Sequence, residues 1–596
     1  MVTSIARNSV KQSGLFGLLA SKLNLGGQET VAAEVLAKLP GCAVPRPKGS
    51  AGGLAPVWDL FHDDASGLGV VVLKDGTYRC CFEMEGVHVS GFDEIRLGSL
   101  MNQFTGFINS IDTSVQLTII CHNVSKRDYF LKHPVEVKQD DEFLKYVAKS
   151  VETDESFLLA KNFIPELRFF VTFSYRPPRE KPQKKNMLDS VATRITDAFT
   201  NQAARQTVGS HTKNVQTIIQ RAQGHVAQLG SCGCSARAIG AKEYFQMLYE
   251  VFNPTLAEQH SDQIPEPERP RMAPMPAGIR RVFPDMEPAT IRQQLAESLY
   301  DFSHADYATI SDVSEIAPDS DEARAKYMRT LYMSRLPERT GPLWLLPLIR
   351  LNCQWRMNIY AHKLDKDLFR KSMQRKQAQA TANTYQGIMG QRSAPNQEEA
   401  EKAQEAARIG SELYTSNLEV FNYSIYFSMM ADSLEDLNRN TEMMRSAAPQ
   451  CRGARFVVGH HEQKQLFLTS MPGFGVDFTR RGKAVRTPTV RNSFPFVHAK
   501  LGSQDGDWIG FSKETLEPVF LNPYDEKLPN ALCVVFGQPG DGKSMVAQQI
   551  IQLKMLAGAK VVIIDRSGSY RLLTEVYDDC HYIRLGPDGS VCINLY

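Results

Sequence analysis

The chain has 596 residues, 42% apolar and 22% charged, a globular composition outside the disordered and membrane ranges, and is about four times a typical single domain of roughly 150 residues. Its 68 Lys plus Arg against 66 Asp plus Glu leave a formal charge of +2, so composition supplies no global attraction to nucleic acid. The 11 cysteines are odd in number and scattered, and include the adjacent Cys80 and Cys81, which argues against a disulfide framework and for a reducing cytosol.

Near the N-terminus, Arg7 and Lys11 precede Leu15-Phe16-Gly17-Leu18-Leu19, with Lys22 after it. The apolar block is too short for a signal peptide. It reads as a short amphipathic segment docking on a partner or a membrane surface, or equally as an ordinary packed helix. No apolar run approaches the roughly 20 residues of a membrane-spanning helix, and Leu343 to Ile349 is broken by Pro347.

From Gly69 to Val89 two strand-like runs flank Lys74-Asp75-Gly76-Thr77, where Asp-Gly predicts a two-residue hairpin turn because both positions tolerate positive φ. Further strands are expected at Val115 to His122 and at Leu167 to Tyr175, the latter ended by Pro177-Pro178, with a basic loop from Arg176 to Lys185. Met187 to Leu229 carries Val191, Ile195, Phe199 and Val208 among polar neighbours, predicting a long amphipathic helical segment along the sheet. Cys232 and Cys234 are one residue apart with no second Cys/His pair at zinc-finger spacing, so a structural role is favoured over zinc. Seven prolines between Ile264 and Pro288 mark a linker or extended crossing loop.

Ala361 to Leu413 is dense in Lys, Gln, Glu and Ala and is interrupted around Gly387 to Pro395, predicting a charged helical hairpin. Lys366, Arg370, Lys371, Arg375 and Lys376 offer charge for nucleic-acid contact, but interleaved acids and few aromatics favour a solvated face. Asn417 to Met430 reads as a strand, Ser433 to Ala447 as a helix, and Arg455 to Thr469 as a strand pair ending at Met471-Pro472-Gly473. Within that pair His460 and His461 would point to opposite faces, which spoils a shared metal site. No short-period repeat or long low-complexity tract is visible.

The chemistry lies further on. Ala531 to Phe536 is a short apolar run expected to form a buried parallel strand, followed by Gly537-Gln538-Pro539-Gly540-Asp541-Gly542-Lys543-Ser544 and a helical stretch from Met545 to Ala557. Strand, GxxxxGK[ST] loop and helix together are the context of a P-loop. Its glycines turn the backbone so that N–H groups form an anion nest at the positive end of a helix. Lys543 supplies a point charge for the β- and γ-phosphates and is the catalytic candidate, and Ser544 is the Mg²⁺ ligand. Pro539 and Asp541 shape the loop, and Gln538 and Met545 complete the binding stretch for ATP and Mg²⁺. A second apolar run, Val561 to Ile564, ends in Asp565. It stands on the very next strand and is followed by Arg566, so a structural or nucleotide-edge role is preferred over the acidic Mg²⁺ ligand of a second nucleotide motif.

The ordered landmarks of Leu468 to Asn594 resemble the TraC/TraU/DotO class of type IV secretion and conjugation ATPases, relatives of the HerA/FtsK-type motors. They are Met471-Pro472-Gly473, Thr487 to Phe496, Gly510-Phe511 before Pro518-Val519-Phe520, the P-loop, Ile564-Asp565-Arg566-Ser567-Gly568-Ser569-Tyr570, and Ile593-Asn594. Asn594 is followed by Leu595 where the family often has Pro. The long N-terminal region looks more like the Dot/Icm and IncI-plasmid branch. The resemblance implies an α/β and α+β multidomain chain: an N-terminal mixed α/β docking domain, then the first part of a P-loop, RecA-like NTPase domain, the remaining motor motifs lying beyond this sequence. The expected parts are an N-terminal segment at 1–60, an α+β domain at 61–263, a linker at 264–288, the helical insertion and second part of that domain at 289–473, and the start of the ATPase at 474–596. It also implies a homo-oligomer (a hexamer or a hexamer of dimers) on the cytoplasmic face of a bacterial inner membrane. Its partners would be other secretion components, a second secretion ATPase, and a protein or nucleoprotein substrate. A DNA-translocating HerA/FtsK-like ATPase and a non-catalytic docking scaffold are the alternatives.

Overall fold

The computed structural model describes most of residues 56–123, 163–177, 208–255, 279–283, 297–311, 325–371, 418–473, 481–497, 506–511, 518–525 and 530–585, with short pieces at 49–50, 145–153, 291–295 and 374–378. The expectations for the N-terminal amphipathic segment, the rest of the basic loop after 177, the helix before 208, most of the proline-rich stretch, most of the charged hairpin and Ile593-Asn594 lie outside these residues. The described chain is mixed α/β around one large antiparallel sheet. Among the described residues no helix is long and apolar enough to cross a membrane.

The sheet has 15 strands, twelve of them in a continuous path. Its first-half strands are β1 (Gly49–Ser50), β2 (Val57–Asp63), β3 (Gly69–Leu73), β4 (Tyr78–Met84), β5 (Ser114–Asn123), β6 (Pro165–Tyr175) and β7 (Ala236–Ala238). Those of the second half are β8 (Ile279–Arg281), β9 (Leu299–Asp301), β10 (Ala308–Ser311), β11 (Ala325–Arg335), β12 (Trp355–Lys363), β13 (Val420–Ala431), β14 (Arg455–Val458) and β15 (Lys483–Arg486). β5 and β12, from either side of the proline-rich stretch, pair with one another, and β8 inside it pairs with β2, so 264–288 does not separate two sheets and is not wholly a linker.

The pairing reveals a duplication that the sequence conceals. β4, the helix Glu94–Ser110, β5, β6, the helix Val208–Gly230 and β7 follow one another in the chain and lie side by side as β7-β4-β6-β5. β11, the single helical turn Leu346–Ile349, β12, β13, the helix Leu434–Ala447 and β14 repeat this as β14-β11-β13-β12. Each is the split βαβ arrangement. The units join where β5 pairs antiparallel with β12, and each is preceded by a hairpin, β2-β3 or β9-β10, laid on its first long strand. The leading edge strands are exchanged: β1 pairs with β9 of the second unit and β8 with β2 of the first.

Alternation explains the two faces of the sheet. Val115, Leu117, Ile119 and Cys121 of β5 and Trp355, Met357, Ile359 and Ala361 of β12 enter one core with Phe104, Phe107 and Ile108 of the first helix. That helix begins where the Asp93 side chain accepts the Arg96 N–H at 2.7 Å, and Leu434–Ala447 begins where Ser433 accepts the Asp436 N–H at 3.1 Å. The opposite side of the same strands is polar and buried, with Gln116, Thr118 and Asn358 at its centre. Asn358 Oδ1 accepts from Gln116 Nε2 at 2.9 Å and from Thr118 Oγ1 at 2.7 Å, while its Nδ2 donates to Ser470 O at 2.9 Å. Gln116 Nε2 also reaches Met471 O at 2.7 Å, Tyr360 OH reaches Thr469 O at 2.6 Å, and Tyr244 OH bonds Gly473 O. The landmark Met471-Pro472-Gly473 is therefore part of a strap whose carbonyls are taken one after another by side chains of the sheet and of the helix Ala241–Phe252.

Four local expectations are corrected. Arg455 to Thr469 is not a strand pair: β14 is followed by the helix Gln463–Thr469. Helical spacing lets adjacent Leu466 and Phe467 serve two different clusters, while Gln463 bonds Thr330 N and O at 3.0 and 3.2 Å, midway along β11 and just past the residues paired with β14. His460 and His461 sit in a turn, with His461 at φ +59°, not in a strand. In the β3–β4 turn only Gly76 has positive φ, +80°; Gly76 N bonds Leu73 O at 2.9 Å and Leu73 N bonds Thr77 O at 2.8 Å, a turn with a glycine bulge in place of a two-residue loop. The charged helical segment begins later than Ala361, because β12 runs through Lys363.

Candidate functional site

Beyond the sheet, Asp507–Phe511 and Pro518–Leu521 form a separate hairpin, β16 and β17, and Lys554 Nζ lies 2.6 Å from the Asp507 carboxylate. Lys554 belongs to the helix Lys543–Leu556, which follows the glycine-rich loop directly. At its far end Leu556 packs with Tyr577 and with Ala148, from the connection between β5 and β6.

The loop is curled. Gly540 and Gly542 have φ of +95° and +83°, left-handed values that a side chain disfavours, and Gly542 caps the helix in that conformation. Gln538 and Asp541 close the turn twice: Asp541 N donates to Gln538 O at 3.2 Å, and Gln538 N donates to Asp541 Oδ2 at 2.6 Å. A Cβ on Gly537 would lie 3.2 Å from both Asp541 Oδ2 and Lys543 Cγ, so the glycine permits two side chains to converge across it. Lys543 Nζ donates to Gln538 O at 2.6 Å, which folds the ammonium back over the loop.

These bonds leave a coherent set of donors. Val546 N is the first helix amide to bond within the helix, to Gly542 O at 3.0 Å. Among the described residues no acceptor takes the N–H of Gly540, Gly542, Lys543, Ser544 or Met545, or engages the Ser544 hydroxyl. They stand in and just before the first turn of a 14-residue helix, where the aligned peptide dipoles favour negative charge. Pro539 has no N–H to give. The donor set suits phosphate oxygens, and a free hydroxyl next to the lysine suits a hard cation bridging such oxygens.

Asp565 is arranged differently. Its Oδ1 accepts from Ser567 N at 2.9 Å and Ser567 Oγ at 3.0 Å, and its Oδ2 from Tyr570 N at 2.9 Å. The Tyr570 amide, and after it those of Ser567 and Gly568, hold this carboxyl below the usual carboxylate range despite its exposure. It staples the Asp565–Tyr570 turn, and Gln548 of the loop helix donates to Ser569 O at 3.2 Å, tying that turn to the helix. The Asp-x-Ser-Gly pattern carries a legible turn signal, whereas nothing in the sequence singles out Gln548.

The runs Ala531 to Phe536 and Val561 to Ile564 are corrected in one respect. They are not paired as strands among the described residues, and they are not buried: Phe536 is 88% exposed, Val562 90% and Ile564 99%. Val561 and Ile563 are far less exposed than their neighbours, so a period-two alternation survives with one side bare. Burial of a central parallel strand requires layers on both faces; among the described residues Ala531 to Phe536 is exposed throughout and Val561 to Ile564 is bare on one side.

Elsewhere, Cys80, Cys81, Cys232 and Cys234 are buried free thiols; burial pushes the Cys81 and Cys234 thiols up to about 12. Among the described residues no group of three or more His, Cys, Asp or Glu could hold a metal ion. Comparison with protein-family models and with curated proteins finds no match.

Proposed function

We propose that the chain binds Mg-ATP through Gly537 to Met545 and serves as the nucleotide-binding subunit of a type IV secretion or conjugation machine. The observation that carries the nucleotide reading is the set of uncommitted amides of Gly540, Gly542, Lys543, Ser544 and Met545 at the start of a helix, with the Lys543 ammonium beside them. The amides of Gly540, Gly542, Lys543, Ser544 and Met545 would hold phosphate oxygens. Lys543 would leave Gln538 O for the β- and γ-phosphates, and Ser544 Oγ would ligate Mg²⁺, which neutralises phosphate charge when bound. On this reading the helix Lys543–Leu556 and the turn at Asp565 are the first units of a RecA-like NTPase domain, and the sheet is the docking domain.

The assignment to a secretion motor, and with it oligomerisation, inner-membrane placement and partner proteins, rests on the landmark resemblance. Asp565 has both oxygens committed to its own turn, which supports binding of ATP with negligible hydrolysis by this chain. Titration of the full chain with a fluorescent ATP analogue and Mg²⁺ tests the core of the proposal. Saturable binding is expected, weakened by about 10- to 100-fold in Lys543→Ala, the loss of a charged hydrogen-bonding group. No saturable binding at millimolar nucleotide, or equal affinity in Lys543→Ala, sinks it.

A further inference from the structure

We propose that Asp541 sets the nucleotide affinity of the loop through two opposed effects: its carboxylate staples the loop shut, and its charge stands against the phosphates the loop would hold. The inference rests on the nucleotide reading above. Asp541 lies between the two left-handed glycines, Gly540 and Gly542, and both bonds that close the turn run from this residue to Gln538. The same Gln538 carbonyl carries the Lys543 ammonium at 2.6 Å. Gln538 is thus the shared anchor of the staple and of the lysine, and whatever frees its amide also loosens the resting place of the cation.

The staple spends one carboxylate oxygen. Among the described residues nothing engages the second, and no cation is paired with this carboxylate. Its side chain nevertheless passes against Gly537 next to Lys543 Cγ, so a full negative charge sits within the loop that would receive an anion of higher charge. A neutral acceptor would close the turn equally well. Aspartate at this position therefore costs affinity without being needed for the turn, and holds the loop preformed but weak.

The test compares the full chain with Asp541→Asn, Asp541→Ala and Lys543→Ala, measuring Mg-ATP and Mg-ADP affinity at low and high salt. Asp541→Asn keeps an acceptor for Gln538 N and removes the charge. It is expected to bind Mg-ATP about three- to tenfold more tightly than the parent, with a smaller gain for Mg-ADP and a gain that shrinks as salt rises. Asp541→Ala, lacking the staple, is expected to bind more weakly than Asp541→Asn. Because the loop is exposed, none of these changes should move the melting temperature, which verifies that folded proteins are compared. Equal or weaker binding by Asp541→Asn, or the same gain for ATP and ADP, overturns the role of Asp541 while leaving the nucleotide site standing if Lys543→Ala remains impaired. Absence of saturable binding in every form overturns the nucleotide site itself, and this inference with it.

Discussion

Ile359 and Ile564 are the same side chain in opposite settings: the first is fully buried in the centre of the sheet, the second is 99% exposed in the run that follows the helix Lys543–Leu556. Around Ile359 every strand has neighbours on both edges and covering layers on both faces. Around Ile564 one side of the apolar run is bare. The sheet draws its shape from long-range packing. The loop draws its shape from bonds within four residues, between Gln538 and Asp541, and needs no core to hold it. A structural region and a chemical one can thus be perturbed separately.

The largest effect should come from the sheet. Trp355 lies at the joint of the two units, stacked on Phe427 with centroids 5.2 Å apart and donating its indole N–H to Leu351 O at 3.0 Å. Trp355→Ala should cost about 3–5 kcal/mol in denaturant unfolding by opening a cavity where neither unit can collapse. On the proposed reading, nucleotide affinity of the molecules still folded should not change; a parallel loss of both would show the regions to be coupled.

The two regions also differ in how much their residues disclose. β5, β6, β13 and the helix Leu434–Ala447 are legible because period-two runs and an N-cap serine are local signals. The loop is legible for the same reason, since glycines, lysine and serine at fixed spacing encode their own backbone. The duplication is not legible: β4 and β11 occupy equivalent places yet read Tyr-Arg-Cys-Cys-Phe-Glu-Met and Ala-Lys-Tyr-Met-Arg-Thr-Leu-Tyr-Met-Ser-Arg, sharing an apolar alternation and little else. Pairing order is decided by contacts hundreds of residues apart, such as Cys121 with Trp355. The helix Gln463–Thr469 escapes a sequence reading because its apolar run is short, and tertiary demands on Gln463, Leu466 and Phe467 choose between helix and strand.

The polar face offers the next largest effect. Asn358 is fully buried and serves Gln116, Thr118 and the strap carbonyl of Ser470 at once. Asn358→Leu should cost about 2–4 kcal/mol by leaving several buried groups without partners, which unfolding curves would detect. A neutral result would mean that water enters behind the strap, and that the polar layer is not the closed network its distances describe.

A smaller, pH-dependent effect is expected at the rim, where Glu83 accepts from Arg168 Nε at 2.8 Å and bonds Arg237. Burial pushes its carboxyl up, but the two guanidiniums outweigh burial and leave it below its ordinary value of 4.5. A depressed folded value means stability that is present above the unfolded pKa and lost as pH falls through the folded one. Glu83→Gln should therefore cost about 1 kcal/mol at pH 7, and the difference from the parent should shrink as pH falls below the ordinary value of 4.5 and through the lowered folded one. A penalty unchanged at pH 3 would assign it to packing rather than charge.

The smallest expected effect makes the comparison sharpest. Ile564→Ser removes a large apolar side chain that touches almost nothing, so unfolding of the isolated chain should shift by no more than about 0.5 kcal/mol, the range of ordinary surface substitutions. The same change at Ile359 would delete a buried side chain and place a hydroxyl in the core. If Ile564→Ser instead costs more than about 1.5 kcal/mol, comparable to burying a whole aliphatic side chain, the bare side is covered in solution. Repeating the measurement across protein concentrations then identifies the cover: a penalty that grows with concentration belongs to a second copy of the chain, whereas a constant one belongs to the chain itself.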